Sequence, residues 1–269
     1  MFARFGSGGR SWQTALAWIG LVLMALCAVW LVSLPASERN AALGRKSLSS
    51  GSGIALLMID PGHGGRDSGA IRNGVLEKDL TLDVARRVNR LARARGFATQ
   101  MTRSGDEWIS LAGRAAAANR ERDCIFVSIH FDEGARAEAT GVQTFYALRQ
   151  MPTGLALPSW LPFVQPVALE SGNFESQSLA GFVQEALVMR TQAFNRGTRA
   201  HQFYVVANVR HPAVLVEGGF LSNDADIMKL TTEVYREQLA EAITEGIVRY
   251  RDIAGQRQAA LADGELLAE

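Results

Sequence analysis

Four side chains in this 269-residue chain are of types that do chemistry: His63, Glu77, His130 and Glu217. His63 lies in "MIDPGHGGRDSGA", directly after the apolar run "IALLMI"; His130 closes "CIFVSI", Glu217 follows "AVLV" and precedes "GGF", and Glu77 opens a helical pattern. Taken singly, most have ordinary readings: a loop histidine, a hydrogen-bonded core histidine, a first-turn glutamate favoured by the helix dipole. Glu217 resists such a reading, because a carboxylate in so apolar a run is expected to be buried, and a buried charge needs a cation or a shifted pKa. Together, two imidazoles and a carboxylate at one sheet edge are the ligand types that bind Zn2+ in a hydrolytic site with a position left for water. The glycines of "GHGG" would then remove bulk beside a ligand and let a substrate approach closely, while Pro61 stiffens the strand exit.

Such residues must be brought together by a scaffold. Apolar runs bounded by turn residues recur as "IALLMI", "FATQMT", "CIFVSIHF", "GVQTFYAL", "QFYVVA" and "AVLVEG", and these are the predicted strands. Between them lie helical patterns. Glu77 to Arg95 carries Leu80, Val84, Val88 and Leu91 on one face and stops at Gly96, where a left-handed cap is expected. Further helices are predicted from Ser110, Ser176 and Glu233. Strands alternating with amphipathic helices give an α/β class: a single domain with a twisted, largely parallel sheet covered by helices on both faces. Ligands gather outside the carboxyl ends of strands in such sheets, where His63, His130 and Glu217 fall.

The chain resembles the zinc-dependent N-acetylmuramoyl-L-alanine amidases of bacterial cell walls. The likeness is carried by "IDPGHGGRDSGA", "LEKDLTLDVARRV", "MTRSGDEWISLAGRAAAAN", "CIFVSIHFD", "NRGTRAHQFYVV" and "PAVLVEGGFLSNDAD", in that order over nearly all of residues 54–250. It implies one catalytic zinc held by His63, Glu77 and His130, with Glu217 as the catalytic carboxylate. It also implies hydrolysis of the amide joining N-acetylmuramic acid to L-alanine in peptidoglycan, for wall remodelling, daughter-cell separation or recycling, and a division-associated activator as partner. The chain departs from the family pattern at Phe131 and Asp132 and at His211, which reads as a rim or surface residue. Arg103 and Arg114 match family positions and are expected to hold site loops by pairing with carboxylates, outside the catalytic set. Asn223 is expected to cap the helix that follows it.

The N-terminus breaks from this pattern. No charge occurs from Ser11 to Ser37, and Ala15 to Leu34 supply about 20 apolar positions, enough to cross a hydrocarbon core of about 30 Å. Residues 1–35 therefore read as a transmembrane anchor, with a cleaved signal segment as the rival; Arg4 and Arg10 before it place the remainder outside the cytoplasm. The expected location is the cell envelope: inner-membrane anchored with a periplasmic catalytic domain, or secreted if the segment is cleaved. Residues 36–53 read as a flexible linker, 54–254 as the catalytic domain and 255–269 as a loosely structured tail. The stretch from Arg149 to Ser176 holds four of the seven prolines, including those near Trp160 and Phe163, and reads as an extended loop bordering the cleft. Its prolines argue against an inhibitory helix of the kind some relatives carry there.

Composition excludes other classes. With 28 basic and 27 acidic residues the chain has no field to attract nucleic acid, and it shows no basic patch or aromatic platform for one. Cys27 falls in the apolar segment and Cys124 at the start of a strand, so no disulfide is expected, and Cys124 reads as a buried small hydrophobe. A carboxypeptidase or deacetylase with a similar zinc site is the nearest enzymatic rival. A non-catalytic wall-binding scaffold is disfavoured by retention of all four site residues.

Overall fold

The computed structural model describes residues 18–24, 56–132, 138–150 and 173–266, the side chains of 261–266 excepted. The chain separates into two units, Met1–Gly51 and Ser52–Glu269. In the first, residues 18–24 are helical with exposed apolar side chains, and the rest of the expected anchor lies outside the described residues, as does the whole of the expected linker. Among the described residues no helix is long and apolar enough to cross a membrane.

The second unit runs β1 (Leu56–Pro61), β2 (Ile71–Arg72), β3 (Val75–Leu76), α1 (Glu77–Ala94), β4 (Ala98–Met101), α2 (Leu111–Asn119), β5 (Cys124–Asp132), β6 (Val142–Tyr146), α3 (Phe174–Thr191), β7 (Asn195–Ala200), α4 (Tyr204–Ala207), β8 (Ala213–Phe220), α5 (Asp224–Leu230) and α6 (Glu233–Leu266). Six strands form one sheet in the order β4-β1-β5-β8-β6-β7. The first four are parallel; β6 runs antiparallel to β8, and β7 is parallel to β6. β2 and β3 make a separate two-stranded hairpin that delivers the chain to α1.

Both faces of the sheet are covered, which is why its central strands are apolar without alternation. Leu57 and Ile59 of β1, Val127 of β5 and Val216 of β8 pack with Val84 of α1, Val183 of α3 and Ile243 of α6 in one core cluster. Met58, Phe126 and Leu215, the intervening residues, pack with Ala118 of α2 and Val206 of α4 in the other. Helix ends follow the sequence signals: Ser110 and Asn173 accept from Gly113 N and Ser176 N, Asn223 accepts from Ala225 N and Asp226 N, and Gly96 closes α1 at φ +83°.

Two expectations fail. "QFYVVA" is not a strand: Tyr204–Ala207 form a short helix whose Val205 and Val206 pack in the α2-side core. Its β-branched run carries a β preference that packing against the sheet overrides. The strand of this region is instead "NRGTRA", β7, polar and glycine-containing, which pairs with β6 at the sheet edge and so needs no apolar pattern. The tail expected to loosen at Gly255 continues α6 to Leu266. One glycine costs only about 1 kcal/mol, and the Ala-, Gln- and Glu-rich residues after it favour helix. The central part of the loop expected between Arg149 and Ser176 lies outside the described residues; its end, from Phe174, is the first turn of α3.

Candidate active site

The carboxyl ends of β1, β5 and β8 meet at one edge of the sheet. Beyond Pro61 the backbone pairs once more, Gly62 N donating to Ile129 O, and then turns through His63 at φ +58°, a left-handed conformation uncommon for a residue with a side chain. Two buried arginines hold this turn. The Arg114 guanidinium donates to Asp60 Oδ1 (2.7 Å), Pro61 O (2.6 Å) and His63 O (2.6 Å). That of Arg103 donates to Pro61 O (3.0 Å), Gly62 O (2.7 Å), Lys78 O (2.8 Å) and Thr81 Oγ1 (3.0 Å), tying the turn to the first turn of α1. Asp60 also accepts from Ser128 Oγ (2.8 Å) and Thr102 Oγ1, so its buried charge is fully met.

Glu77 is the centre of the cluster. Its carboxylate is buried at 4% exposure and accepts from the backbone N–H groups of Ala70 (2.9 Å) and Phe131 (3.0 Å). Oε2 lies 3.0 Å from His63 Nε2 and Oε1 lies 3.0 Å from His130 Nδ1. The two imidazole rings stand edge to face, 4.8 Å apart between centroids. Glycine is required where these groups converge: a Cβ on Gly62 would fall 2.4–2.7 Å from the His130 ring, and one on Gly69 would fall 2.4 Å from Glu77 Oε2 and 2.7 Å from His63 Cδ2. Burial opposes ionisation of Glu77, but hydrogen bonds with His130 and His63 and their attraction outweigh it and hold the carboxyl well below the usual range. Burial likewise lowers the His63 pKa, yet Glu77 and Asp67 together raise it above its ordinary value.

The donor set fits a divalent metal. One ligand atom each from His63, Glu77 and His130 lie within 4.8 Å of one another. Asp67 Oδ1 lies 2.9 Å from His63 Nδ1, and an Nδ1–H that donates to it would leave Nε2 free to bind a metal. Imidazole and carboxylate are the donors of hydrolytic zinc sites.

Glu217 stands beside this cluster, its Cα in register with His130 on the neighbouring parallel strand and with Gln143 on the antiparallel one. It is buried, and its Oε2 has no hydrogen-bond partner among the described residues. Burial, with the charges of Glu77 and Asp132 nearby, pushes its carboxyl well above the usual range, against one backbone N–H from Asp132. A carboxyl whose neutral form is favoured in this way is fitted to hold and pass on a proton.

All four expected residues thus meet at one edge. His211 precedes β8 at the opposite end of the sheet, with Nε2 3.1 Å from Glu121 O, and belongs to no site. Burial pushes the Cys124 thiol up to about 12, and it is inert. Sequence reasoning missed Asp67 and Asp60, and it half-described the arginines. Arg114 does pair with a carboxylate, whereas Arg103 is satisfied by carbonyls and the Thr81 hydroxyl. The only available signal for Asp67 was an acidic residue four positions after His63.

A sheet covered on both faces, with His63, Glu77, His130 and Glu217 at its carboxyl edge, defines an α/β enzyme whose donor set fits a divalent metal. The family model of N-acetylmuramoyl-L-alanine amidases matches residues 57–249, and the chain belongs to that family: it is a peptidoglycan amidase that cleaves between N-acetylmuramic acid and L-alanine. It is 34% identical over 194 residues to the amidase LytC of Bacillus subtilis, covering 72% of this chain and 35% of LytC. An amidase structure from Clostridium difficile 630 superposes with a TM-score of 0.63 at 32% identity, covering 75% of this chain and 98% of that one. The CwlD amidase of Clostridioides difficile, solved in complex with the GerS lipoprotein, gives 0.62 at 27% identity, over 74% and 99% of the two chains.

Proposed function

We propose that His63, Glu77 and His130 hold a single zinc ion and that Glu217 carries the proton in amide hydrolysis. The observation that carries this reading is the Glu77 carboxylate set between two imidazole nitrogens at 3.0 Å, with Glu217 one strand away in register with His130. Zinc, when bound, supplies Lewis acidity that polarises a carbonyl and acidifies water. The chain's own residues do the rest. Asp67 fixes the His63 ring, Arg103 and Arg114 fix the turn that carries it, and Gly62 and Gly69 keep the space beside the ligands free of side chains. Glu217 Oε2 takes the proton of the attacking water and delivers it to the departing L-alanine amine, so that no acyl-enzyme is needed.

The same reading places the catalytic unit in the cell envelope outside the cytoplasm, tethered through the apolar N-terminal segment from Ala15 to Leu34. A division-associated activator protein belongs to the same proposal, and the CwlD relative, solved in complex with the GerS lipoprotein, supports a protein partner for this fold. The deciding experiment is mass spectrometry of muropeptides released by the full-length protein and by Glu217→Gln, with zinc measured in both. Stem peptides with a new L-alanine amino terminus from the parent, none from the variant, and equal zinc support the assignment. Turnover by Glu217→Gln would remove that residue from the mechanism, and release of acetate or of D-alanine alone would point to a deacetylase or carboxypeptidase.

A further inference from the structure

Beside the metal cluster lies an exposed aromatic ledge that the reaction so far leaves unused. Trp108 is the only tryptophan described in the unit from Ser52 to Glu269, and its side chain is 47% exposed. Single exposed apolar residues are common and need no explanation. This one differs in how firmly it is held. The loop carrying it rests directly on the glycines after His63: a Cβ on Gly64 would meet Glu107 O at 2.2 Å, and one on Gly65 would meet Trp108 N at 2.7 Å. Asp106 accepts from Gly65 N and from Lys78 Nζ, both at 2.7 Å, and the Ser104 and Gly105 carbonyls accept from Arg86 (2.7 Å) and Arg103 (2.9 Å). The Arg66 guanidinium, three residues past His63, stacks over the indole at 4.0 Å, and among the described residues no carboxylate pairs with it. Leu111, three residues beyond Trp108, is exposed as well.

We propose that Trp108 and Arg66 form a subsite for the glycan strand of the substrate. This deepens the amidase reading and rests on it. The scissile amide hangs from the lactyl group of a sugar, so saccharide rings must pass close to His63. A pyranose has an apolar C–H face and a rim of hydroxyl and N-acetyl groups; an indole offers the first an apolar surface, and a guanidinium offers the second its N–H donors. A ledge fixed to the metal-binding turn contributes recognition without an ordering cost at binding.

The test compares Trp108→Ala and Trp108→Phe with the parent on two substrates, a long glycan chain bearing stem peptides and a single muramoyl peptide. The ratio of kcat/KM for the long substrate over the short one falls about tenfold in Trp108→Ala, mainly through KM, and recovers in part in Trp108→Phe. Affinity for purified peptide-free glycan strands, measured by calorimetry in a Glu217→Gln background, falls in parallel. A ratio within about twofold of the parent, with unchanged glycan affinity, overturns the proposal. Zinc content and thermal midpoint show that each variant is folded. Should the parent release no stem peptide from either substrate, the amidase assignment fails, while the glycan affinities still decide the ledge.

Discussion

Asp67 Oδ1 lies 2.9 Å from His63 Nδ1, and that contact decides which face of the imidazole meets Glu77. Carboxylates behind metal-bound histidines fix ring and tautomer and raise ligand basicity. Asp67→Ala is therefore expected to weaken zinc binding by about 10- to 100-fold. Competition with a chromophoric chelator measures it; an unchanged affinity would show that the Arg114 contact to the His63 carbonyl is sufficient.

Glu217 yields a prediction about pH. Its carboxyl titrates well above the usual range in the folded chain because burial disfavours the charge, whereas in the unfolded chain it titrates normally. The folded state thus holds the proton longer. The stability from this group is full below the unfolded pKa and is lost as pH rises through the folded one. Metal-free Glu217→Gln, neutral throughout, should accordingly gain stability over the metal-free parent at pH 8 and gain little at pH 4. An unpartnered buried polar group costs about 1–3 kcal/mol, and each kcal/mol moves the thermal midpoint of a domain this size by roughly 2–4 °C. Thermal scans with chelator at the two pH values check the sign.

Removing Arg114 should harm the fold as well as the site. Arg114→Ala leaves the Asp60 carboxyl buried at 0% exposure without its guanidinium, and it frees the carbonyls of Pro61 and His63. Breaking a buried pair in this way costs about 3–5 kcal/mol. Urea unfolding gives the figure. The double variant Asp60→Ala, Arg114→Ala should lose less than the sum of the two single changes, since the stranded charge is gone.

Gly62→Ala separates room from folding. The added methyl would press on the His130 ring at 2.4–2.7 Å, and the backbone of Gly62 is not in a left-handed conformation, so the clash falls on the ligand. Loss of zinc and of amidase activity with an unchanged circular dichroism spectrum is the expected outcome. Full zinc occupancy would mean that the ring has space to move.

The positions of His63, His130 and Glu217 were legible because each ends an apolar run, and a run covered on both faces needs no other residue to mark it. The strand order was not legible. β7 went unseen for a related reason: an edge strand held by backbone pairing to β6 carries no hydrophobic signature, and four apolar residues beside it, Tyr204–Ala207, drew the strand reading to themselves. Arg103 and Arg114 were expected to pair with carboxylates, and that Arg103 is met by carbonyls and the Thr81 hydroxyl instead was not legible, because nothing local tells which acceptors will surround a guanidinium.

The residue types and their order along the chain determined the α/β class, the four candidate residues and the family to which the chain belongs, since hydrophobic period and motif spacing are local properties. Tertiary structure alone decided that Glu77, 14 positions from His63 and 53 from His130, lies between their rings. It also decided that Asp67 fixes one of those rings and that Trp108 is pinned beside them. Each is a contact between residues from different segments, and such contacts exist only once the sheet has aligned the ends of β1, β5 and β8.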